Sequence, residues 1–172
     1  MKYTPLPASV FSQHRQNFMA QLKPNSIAVF NSNDIYPVSA DSTLPFAQHR
    51  DLFYLTGIDQ EETILVLYPD AKDPAQREMV FVRETNAHIA VWEGHKLTKE
   101  ETTKLSGVET VLWTDKFKKT FLELAKQVDH IYINTNEHYR AKAETQTRED
   151  RFINWCKEQF PKHTYEKSNF IL

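Results

Sequence analysis

Short apolar runs alternate along this chain with segments of helical period, and this alternation is the feature that most restricts the fold. The runs lie at residues 26–32, 63–69, 77–83, 108–113 and 130–134. Apolar runs bounded by turn residues are typical of strands that are buried on both faces of a sheet. We therefore predict an α/β fold in which helices cover both faces of a mixed sheet. Its antiparallel pairs lie early in the chain and its βα crossovers late.

The segment "DLFYLTG", residues 51–57, is also predicted to be a strand. Gly57 and the short link "IDQEE" favour an antiparallel, hairpin-like pairing of this segment with the strand at residues 63–69. The stretch from Asn33 to Gln48 contains two prolines and many small polar residues. We expect an ordered loop there, and long loops in compact domains are usually functional or packed against a neighbour.

Helix signals fill the spaces between the apolar runs. The first predicted helix has Ser9 as its N-cap and ends before Lys23-Pro24-Asn25. A short helix follows the strand at residues 77–83, with Thr85 or Asn86 as its cap and Gly94 as its end.

Three more helices are expected in the second half of the chain. The first opens with a capping box made by Thr98 and Glu101 and closes at Gly107. The other two carry apolar stripes, formed by Phe117, Phe121, Leu124 and Val128 and by Phe152, Trp155, Cys156 and Phe160. The segment after Pro161, "HTYEKSNFIL", is expected to be extended to the terminus.

The bulk properties fit one domain of residues 1–172 and exclude several classes of partner. The 21 basic and 23 acidic residues give a net charge of −2, so neither nucleic acid nor an anionic membrane is indicated as a partner. The lone cysteine, Cys156, excludes an internal disulfide and agrees with a reducing compartment. No signal peptide is recognisable, and no apolar run is long enough to span a bilayer. We expect a cytoplasmic protein.

The residues by themselves do not assemble a nucleotide, metal or nucleophile site. The three glycines stand far apart, which argues against a phosphate-binding loop. His88 and His95 are separated by Gly94, so surface histidines are favoured over a metal pair. Cys156 lies late in a predicted helix on its apolar stripe, where a buried structural thiol is favoured over a nucleophile.

The carboxylates and two further residues leave alternatives open. Asp41, Asp51 and Glu62 could serve two-metal hydrolysis, but side chains that face water are the more ordinary interpretation. Arg83 at the end of a strand and Trp92 beside a helix end could be binding residues. The ordinary alternatives for them are a surface arginine and a core tryptophan.

One ordered string of residues resembles the N-terminal domain of the aminopeptidase P, prolidase and creatinase family. The string consists of Ser39-Ala40-Asp41-Ser42, Pro45-Phe46, Gln48, Asp51, Phe53-Tyr54-Leu55-Thr56-Gly57 and Ile64-Leu65-Val66-Leu67. Downstream, Phe81, Arg83, Trp92 and Gly94 fall where that family has a strand, a crossing helix and a Trp-x-Gly turn. Within the family, the chain is most similar to bacterial Xaa-Pro aminopeptidases.

This resemblance implies a three-layer α/β/α fold with a mixed sheet of about six strands, like the creatinase/prolidase N-terminal domain with its ribonuclease H-like motif. It also implies a separate C-terminal "pita-bread" catalytic domain that holds two divalent metals, commonly manganese, on two Asp, one His and two Glu. None of those ligands maps to this chain, so we expect an excised domain or the product of a shortened gene. No cofactor is expected in the chain itself.

The resemblance also suggests site residues. In tetrameric relatives the tryptophan that matches Trp92 reaches into a neighbour's active site, so Trp92 is the first candidate for substrate contact and Arg83 the second. A Trp92 that merely packs its helix onto the sheet is the alternative. Family members often have a basic residue where Ala47 stands, and an interdomain or intersubunit salt bridge made there would be missing in this chain.

Two functions from different classes follow. In the first, the domain is non-catalytic: it shapes the substrate entrance and helps a metal-dependent Xaa-Pro aminopeptidase to oligomerise. Such an enzyme removes the residue before proline from proline-containing peptides. In the second, the chain is a stand-alone protein- or peptide-binding module derived from that family. An independent hydrolase using Cys156 or carboxylates is the least favoured, and the chain alone is predicted to be inactive.

Overall fold

The computed structural model describes residues 4–135 and 145–172, and a mixed sheet organises both ranges. The strands are β1 (Ser26–Asn31), β2 (Pro37–Ser39), β3 (Ser42–Thr43), β4 (Ile64–Leu67), β5 (Glu78–Val82), β6 (Thr110–Trp113), β7 (His130–Ile133) and β8 (Thr164–Lys167). The helices are α1 (Ala8–Met19), α2 (Arg50–Thr56), α3 (Ala87–Glu93), α4 (Lys99–Ser106), α5 (Phe117–Ala125) and α6 (Arg148–Gln159).

The main sheet has six strands in the order β6-β5-β4-β1-β7-β8. Strand β4 pairs antiparallel with both β1 and β5. The other three pairs, β5–β6, β1–β7 and β7–β8, are parallel. The antiparallel pairs thus come from the first half of the chain and the parallel crossovers from the second, which confirms the predicted mixed sheet.

Both faces of the sheet are buried, because successive side chains of a strand point to opposite faces. Along β1, Ile27 and Val29 face a core completed by α5 and α6, and Ala28 and Phe30 face a second core completed by α1, α2 and α4. This is the physical origin of the continuous apolar runs. The three-layer α/β/α arrangement is therefore the one that the resemblance implied.

The α1–α2–α4 layer is tied together by one buried cation, Arg15. Its Nε donates to Glu78 Oε2 at 2.8 Å. Its Nη1 donates at 2.9 Å to the carbonyl oxygens of Leu55 and Ser106, which lie at the C-terminal ends of α2 and α4. Helix C-termini carry partial negative charge, so a cation is favoured there. Sequence analysis gave no indication of this buried arginine.

The predicted strand at residues 51–57 is wrong, because these residues form helix α2. His49 is the N-cap and accepts a hydrogen bond from the Asp51 N–H. Leu52 and Leu55 are buried three residues apart on one face, a helical and not a strand spacing. The predicted hairpin with residues 63–69 is therefore absent, and β4 pairs with β1 and β5 instead.

Some predicted boundaries also need correction. The first helix has Pro7 and not Ser9 at its N-cap position, and no side chain caps it. The chain after β8 forms a 3₁₀ turn at Ser168–Phe170 and is not extended to its end. The predicted loop at residues 33–48 holds the small β2–β3 hairpin.

Other boundaries are confirmed. Asn86 caps α3, Gly94 ends it, and the capping box of Thr98 and Glu101 opens α4. Among the described residues, none of the helices combines the length and apolar character that a membrane crossing requires.

Candidate functional site

The candidate site is built on α3, the helix that follows the end of β5. Asn86 fixes its start, since Asn86 Oδ1 accepts hydrogen bonds from the N–H groups of His88 and Ile89 at 3.0 and 2.9 Å. Gly94 ends the helix with φ +76°, a conformation that glycine adopts without steric cost. The helix is therefore a defined single element that presents side chains from the end of the sheet.

Trp92 lies on this helix and points away from the protein body. Its side chain is 81% exposed, and the neighbouring Val91 is 75% exposed. Neither residue belongs to the two hydrophobic cores. The alternative in which Trp92 packs α3 onto the sheet is therefore wrong. A large exposed indole is unusual unless a partner or ligand covers it.

Arg83, the second candidate from the sequence, directly follows β5 and precedes the same helix. Its Nη2 is 2.7 Å from Glu93 Oε2, and its Nη1 is 3.6 Å from Glu62 Oε1. Glu93 directly follows Trp92 in α3. The structure thus brings the elements that carry Arg83 and Trp92 together, but the guanidinium is engaged with carboxylates of this chain.

The charged residues of segment 45–70 make contacts within the fold. Asp51 Oδ2 accepts a hydrogen bond from Asn134 Nδ2 at 2.6 Å. Asn169 Nδ2 in turn donates to Asn134 Oδ1 at 2.8 Å. Burial lowers the pKa of His49, although the nearby Asp51 carboxylate opposes this shift. These contacts link α2 to the end of β7 and to the last residues of the chain, which is a structural role.

Gln48, a residue of the matched string, and its neighbour Ala47 fix the loop before α2. Gln48 Nε2 donates to the carbonyl oxygens of Ile58 and Gln60 at 3.1 and 2.8 Å. The carbonyl oxygen of Ala47 accepts from Asn33 Nδ2 at 2.9 Å. The Ala47 side chain is uncharged, so no salt bridge can form from this position.

Beside this loop the surface forms two adjoining grooves of about 860 and 910 Å³. Phe11, Phe46 and Phe53 line both of them. An apolar groove of this size on a protein surface is a candidate contact area for a partner domain.

The structure offers no metal site among residues 4–135 and 145–172, where no group of three or more His, Cys, Asp or Glu side chains could hold an ion. Asp41 is exposed at the turn of the β2–β3 hairpin, whereas Asp51 and Glu62 are engaged as described. His88 and His95 are exposed. The carboxylate and histidine candidates are therefore not assembled into a site.

The nucleophile candidate, Cys156, is fully buried in the α5–α6 core. Burial raises the pKa of its thiol to about 12, so the thiol stays protonated near neutral pH. The preference for a structural thiol is thus supported.

Sequence analysis missed one unusual carboxylate, Glu149, in the first turn of α6. It is 9% exposed, and its Oε1 has no hydrogen-bond partner among residues 4–135 and 145–172. Burial raises its pKa to about 7, whereas the nearby Arg148 opposes the shift. It lines a small cavity of about 260 Å³. Its position in the first turn of a helix gave no sign of burial, because the residues that line the same cavity come from the distant loop at residues 33–47.

Comparisons with a family model and with curated proteins point to the same family. The protein-family model described as "Aminopeptidase P, N-terminal domain" matches residues 11–132. The chain is 27% identical over 128 residues to the Xaa-Pro aminopeptidase of Escherichia coli (strain K12), covering 74% of this chain and 29% of that protein. It is 24% identical over 127 residues to the Xaa-Pro aminopeptidase of Haemophilus influenzae, with the same two coverages.

Solved structures agree with this match at the level of the fold. An aminopeptidase P structure from Bacillus anthracis superimposes with a TM-score of 0.82 at 26% identity, covering 94% of this chain and 38% of that one. A variant of Escherichia coli aminopeptidase P in complex with substrate gives a TM-score of 0.74 at 23% identity, covering 95% and 37%. The chain thus spans less than a third of the length of the two curated relatives named above.

Proposed function

Because the chain belongs to the family of aminopeptidase P N-terminal domains, we propose that it is the non-catalytic domain of a metal-dependent Xaa-Pro aminopeptidase. Residues 1–172 form one domain in this proposal, and a catalytic domain outside this sequence is its partner. The apolar grooves lined by Phe11, Phe46 and Phe53 support a partner domain. The names of the relatives support the activity, which is removal of an N-terminal residue that precedes proline.

The observation that carries the proposal is the exposed indole of Trp92. A flat aromatic side chain can pack against a peptide side chain while its N–H remains free to donate. We propose that Trp92 contacts a proline-containing peptide at the substrate entrance and that Val91 and Trp92 together support contact with a second copy. Arg83 belongs to the same site, although its pairing with Glu93 favours an indirect role.

The metal ions belong to the catalytic domain in this proposal. The described residues of this chain supply no ligand set, so they do not fit a bound divalent ion. Manganese is the metal that the family resemblance favours. A cytoplasmic location is proposed from the single cysteine, which agrees with a reducing compartment.

The test is Trp92→Ala in the full-length enzyme that contains this domain. We expect kcat/KM for an Xaa-Pro peptide to fall about tenfold, which corresponds to the loss of roughly 1.4 kcal/mol of aromatic contact. The matched control is Phe170→Ala, which removes another aromatic side chain that is 79% exposed. Equal kinetics for Trp92→Ala and the wild type would contradict the proposed role of Trp92.

A second measurement concerns the chain alone. The purified 172-residue protein should not cleave an Xaa-Pro peptide with or without added Mn²⁺, because the described residues contain no metal site. Cleavage that co-purifies with the protein through successive columns would overturn this expectation.

The coding sequence beyond codon 172 separates the two classes of function. A reading frame that continues into a domain with two Asp, one His and two Glu metal ligands would support the peptidase. A stop codon at that point would instead favour a stand-alone binding module.

A further inference from the structure

Helix α3 is held in place by unusual means. It has seven residues and none of them is buried; Ile89 and Ala90 are only half-buried. Isolated helices of this length are unstable in water, and most protein helices are stabilised by packing an apolar face. The position of α3 therefore depends on other contacts.

Polar anchors lie on both sides of the helix. On one side, Arg83, which follows β5, pairs with Glu93 in the last turn of α3 and approaches Glu62. On the other side, Lys96 pairs with Glu61 just after Gly94. The N–H of Leu97 adds a hydrogen bond to Gln60 Oε1 at 2.8 Å. Three consecutive residues, Gln60 to Glu62, thus contact both Arg83, which precedes α3, and Lys96 and Leu97, which follow it.

We infer that Arg83 is a positioning residue, which holds α3 through Glu93 and Glu62 and thereby sets the direction of Trp92. Its relevance to a peptide substrate rests on the proposed function of Trp92. The positioning role itself does not rest on that proposal, since it concerns only contacts within this chain.

The two anchors differ in their exposure to solvent. The side chains of Arg83 and Glu93 are 33% and 37% exposed, whereas those of Lys96 and Glu61 are 16% and 10% exposed. Salt screens exposed ion pairs much more than buried ones. The Arg83 anchor is thus the one that ionic strength or a single charge substitution can release while the Lys96 anchor persists.

The experiment measures the order of α3 in the 172-residue protein by amide hydrogen exchange and by ¹⁵N relaxation. In the wild type, amides of residues 90–93 should have order parameters near those of rigid backbone, about 0.85. In Arg83→Met and in Glu93→Gln, we expect them to fall below about 0.6, with amide exchange about tenfold faster. Arg83→Lys, which keeps the charge but loses the fork that reaches two carboxylates, should give intermediate values.

Lys126→Gln serves as the control, because it removes one positive charge from an exposed site at the end of α5. It should leave the α3 amides unchanged. High salt should loosen α3 in the wild type and leave Arg83→Met unaffected. Unchanged α3 amides in both Arg83→Met and Glu93→Gln would overturn the inference. So would loosening of the whole sheet to the same extent as α3.

The failure of this inference is separable from the failure of the proposed function. Loosening of α3 in Arg83→Met, combined with full activity of Trp92→Ala in the full-length enzyme, would keep the positioning role and reject the substrate role. A rigid α3 in Arg83→Met, combined with a tenfold loss in Trp92→Ala, would do the reverse.

Discussion

At the scale of single residues, two buried charged side chains in the described part of the chain have opposite effects on the stability of the fold. Arg15 is fully buried but is satisfied by Glu78 and by two helix-terminal carbonyl groups. Glu149 is nearly as buried, but one of its carboxyl oxygens has no hydrogen-bond partner in the described part of the chain. A buried charge stabilises a fold only when it is paired and hydrogen-bonded, so Arg15 should support the native state and ionised Glu149 should oppose it.

Arg15→Met should destabilise the protein by roughly 3 kcal/mol, because it leaves Glu78 and the carbonyl oxygens of Leu55 and Ser106 without their donor. The free energy of unfolding from urea titration measures this loss. Arg50→Met, at an exposed position in the first turn of α2, is the matched control and should change it by less than about 0.5 kcal/mol. Similar values for the two variants would contradict the assigned role of Arg15.

Glu149→Gln should stabilise the protein at pH 8 and not at pH 5. The folded-state pKa of about 7 lies above the ordinary value of 4.5, so the folded protein binds the proton more tightly than the unfolded chain. Stability therefore falls as pH rises from about 4.5 to about 7 and stays low above that, by roughly 3 kcal/mol for this group. The Glu149→Gln variant has no carboxyl group to ionise at this position, so its stability does not fall in this way. The facing charges are Arg148, Asp34 and Asp150.

Thermal unfolding of the wild type and the variant between pH 5 and pH 8 measures the difference. Glu158→Gln, on an exposed position of the same helix, should follow the wild-type profile. A constant difference between wild type and Glu149→Gln across this range would show that Glu149 does not titrate there.

At the scale of elements, α1 packs over the ends of two other helices. Both α2 and α4 end in a left-handed glycine, Gly57 and Gly107. A Cβ at Gly57 would lie 2.4 Å from the ring of Phe11 in α1, whereas a Cβ at Gly107 would lie 2.7 Å from the Ser12 hydroxyl oxygen. The close approach of α1 therefore requires glycine at Gly57 for space as well as for backbone conformation.

Gly57→Ala should cost roughly 3 kcal/mol, the sum of left-handed strain and overpacking against an aromatic ring. Gly107→Ala carries the same backbone strain but meets a small hydroxyl that can rotate, so about 1–2 kcal/mol is expected. Urea unfolding of the two variants compares them directly. Equal costs would show that the Phe11 ring moves aside freely.

Helix α2 is the element whose type the sequence pattern predicted wrongly. Its Phe-Tyr-Leu-Thr run has strand propensity, and the strand prediction followed that propensity. Burial of Leu52 and Leu55 on one helical face, with a cap at His49, decided the outcome instead. By contrast, Asn86, Gly94, Thr98 and Gly107 were identified correctly, because capping depends on residues three or four positions apart.

At the scale of the whole molecule, the sheet couples its two helical layers. Residues of β1, β4 and β5 alternate between the two cores, so neither core can lose its packing without disturbing the same strands. Trp113 packs against the core of α1, α2 and α4, and Trp155 packs against the core of α5 and α6. The two indoles therefore report on opposite faces of one sheet.

We expect the two layers to unfold in one cooperative transition. In a Trp92→Phe background, fluorescence of Trp155→Phe reports Trp113 alone, and fluorescence of Trp113→Phe reports Trp155 alone. Each variant should show coincident fluorescence and far-ultraviolet circular dichroism transitions in urea. Separate transitions for the two probes would show that one layer opens independently.

Periodicity and contacts between near neighbours were enough to predict the apolar strands, the mixed character of the sheet and most of the helix caps. The sequence also placed the chain in its family through one ordered string of residues. The helical state of residues 50–56, the exposure of Trp92 and the burial of Arg15 and Glu149 could be seen only in the folded structure. The reason is distance along the chain: Arg15 meets partners 40 and 91 residues away, and no local pattern carries that information.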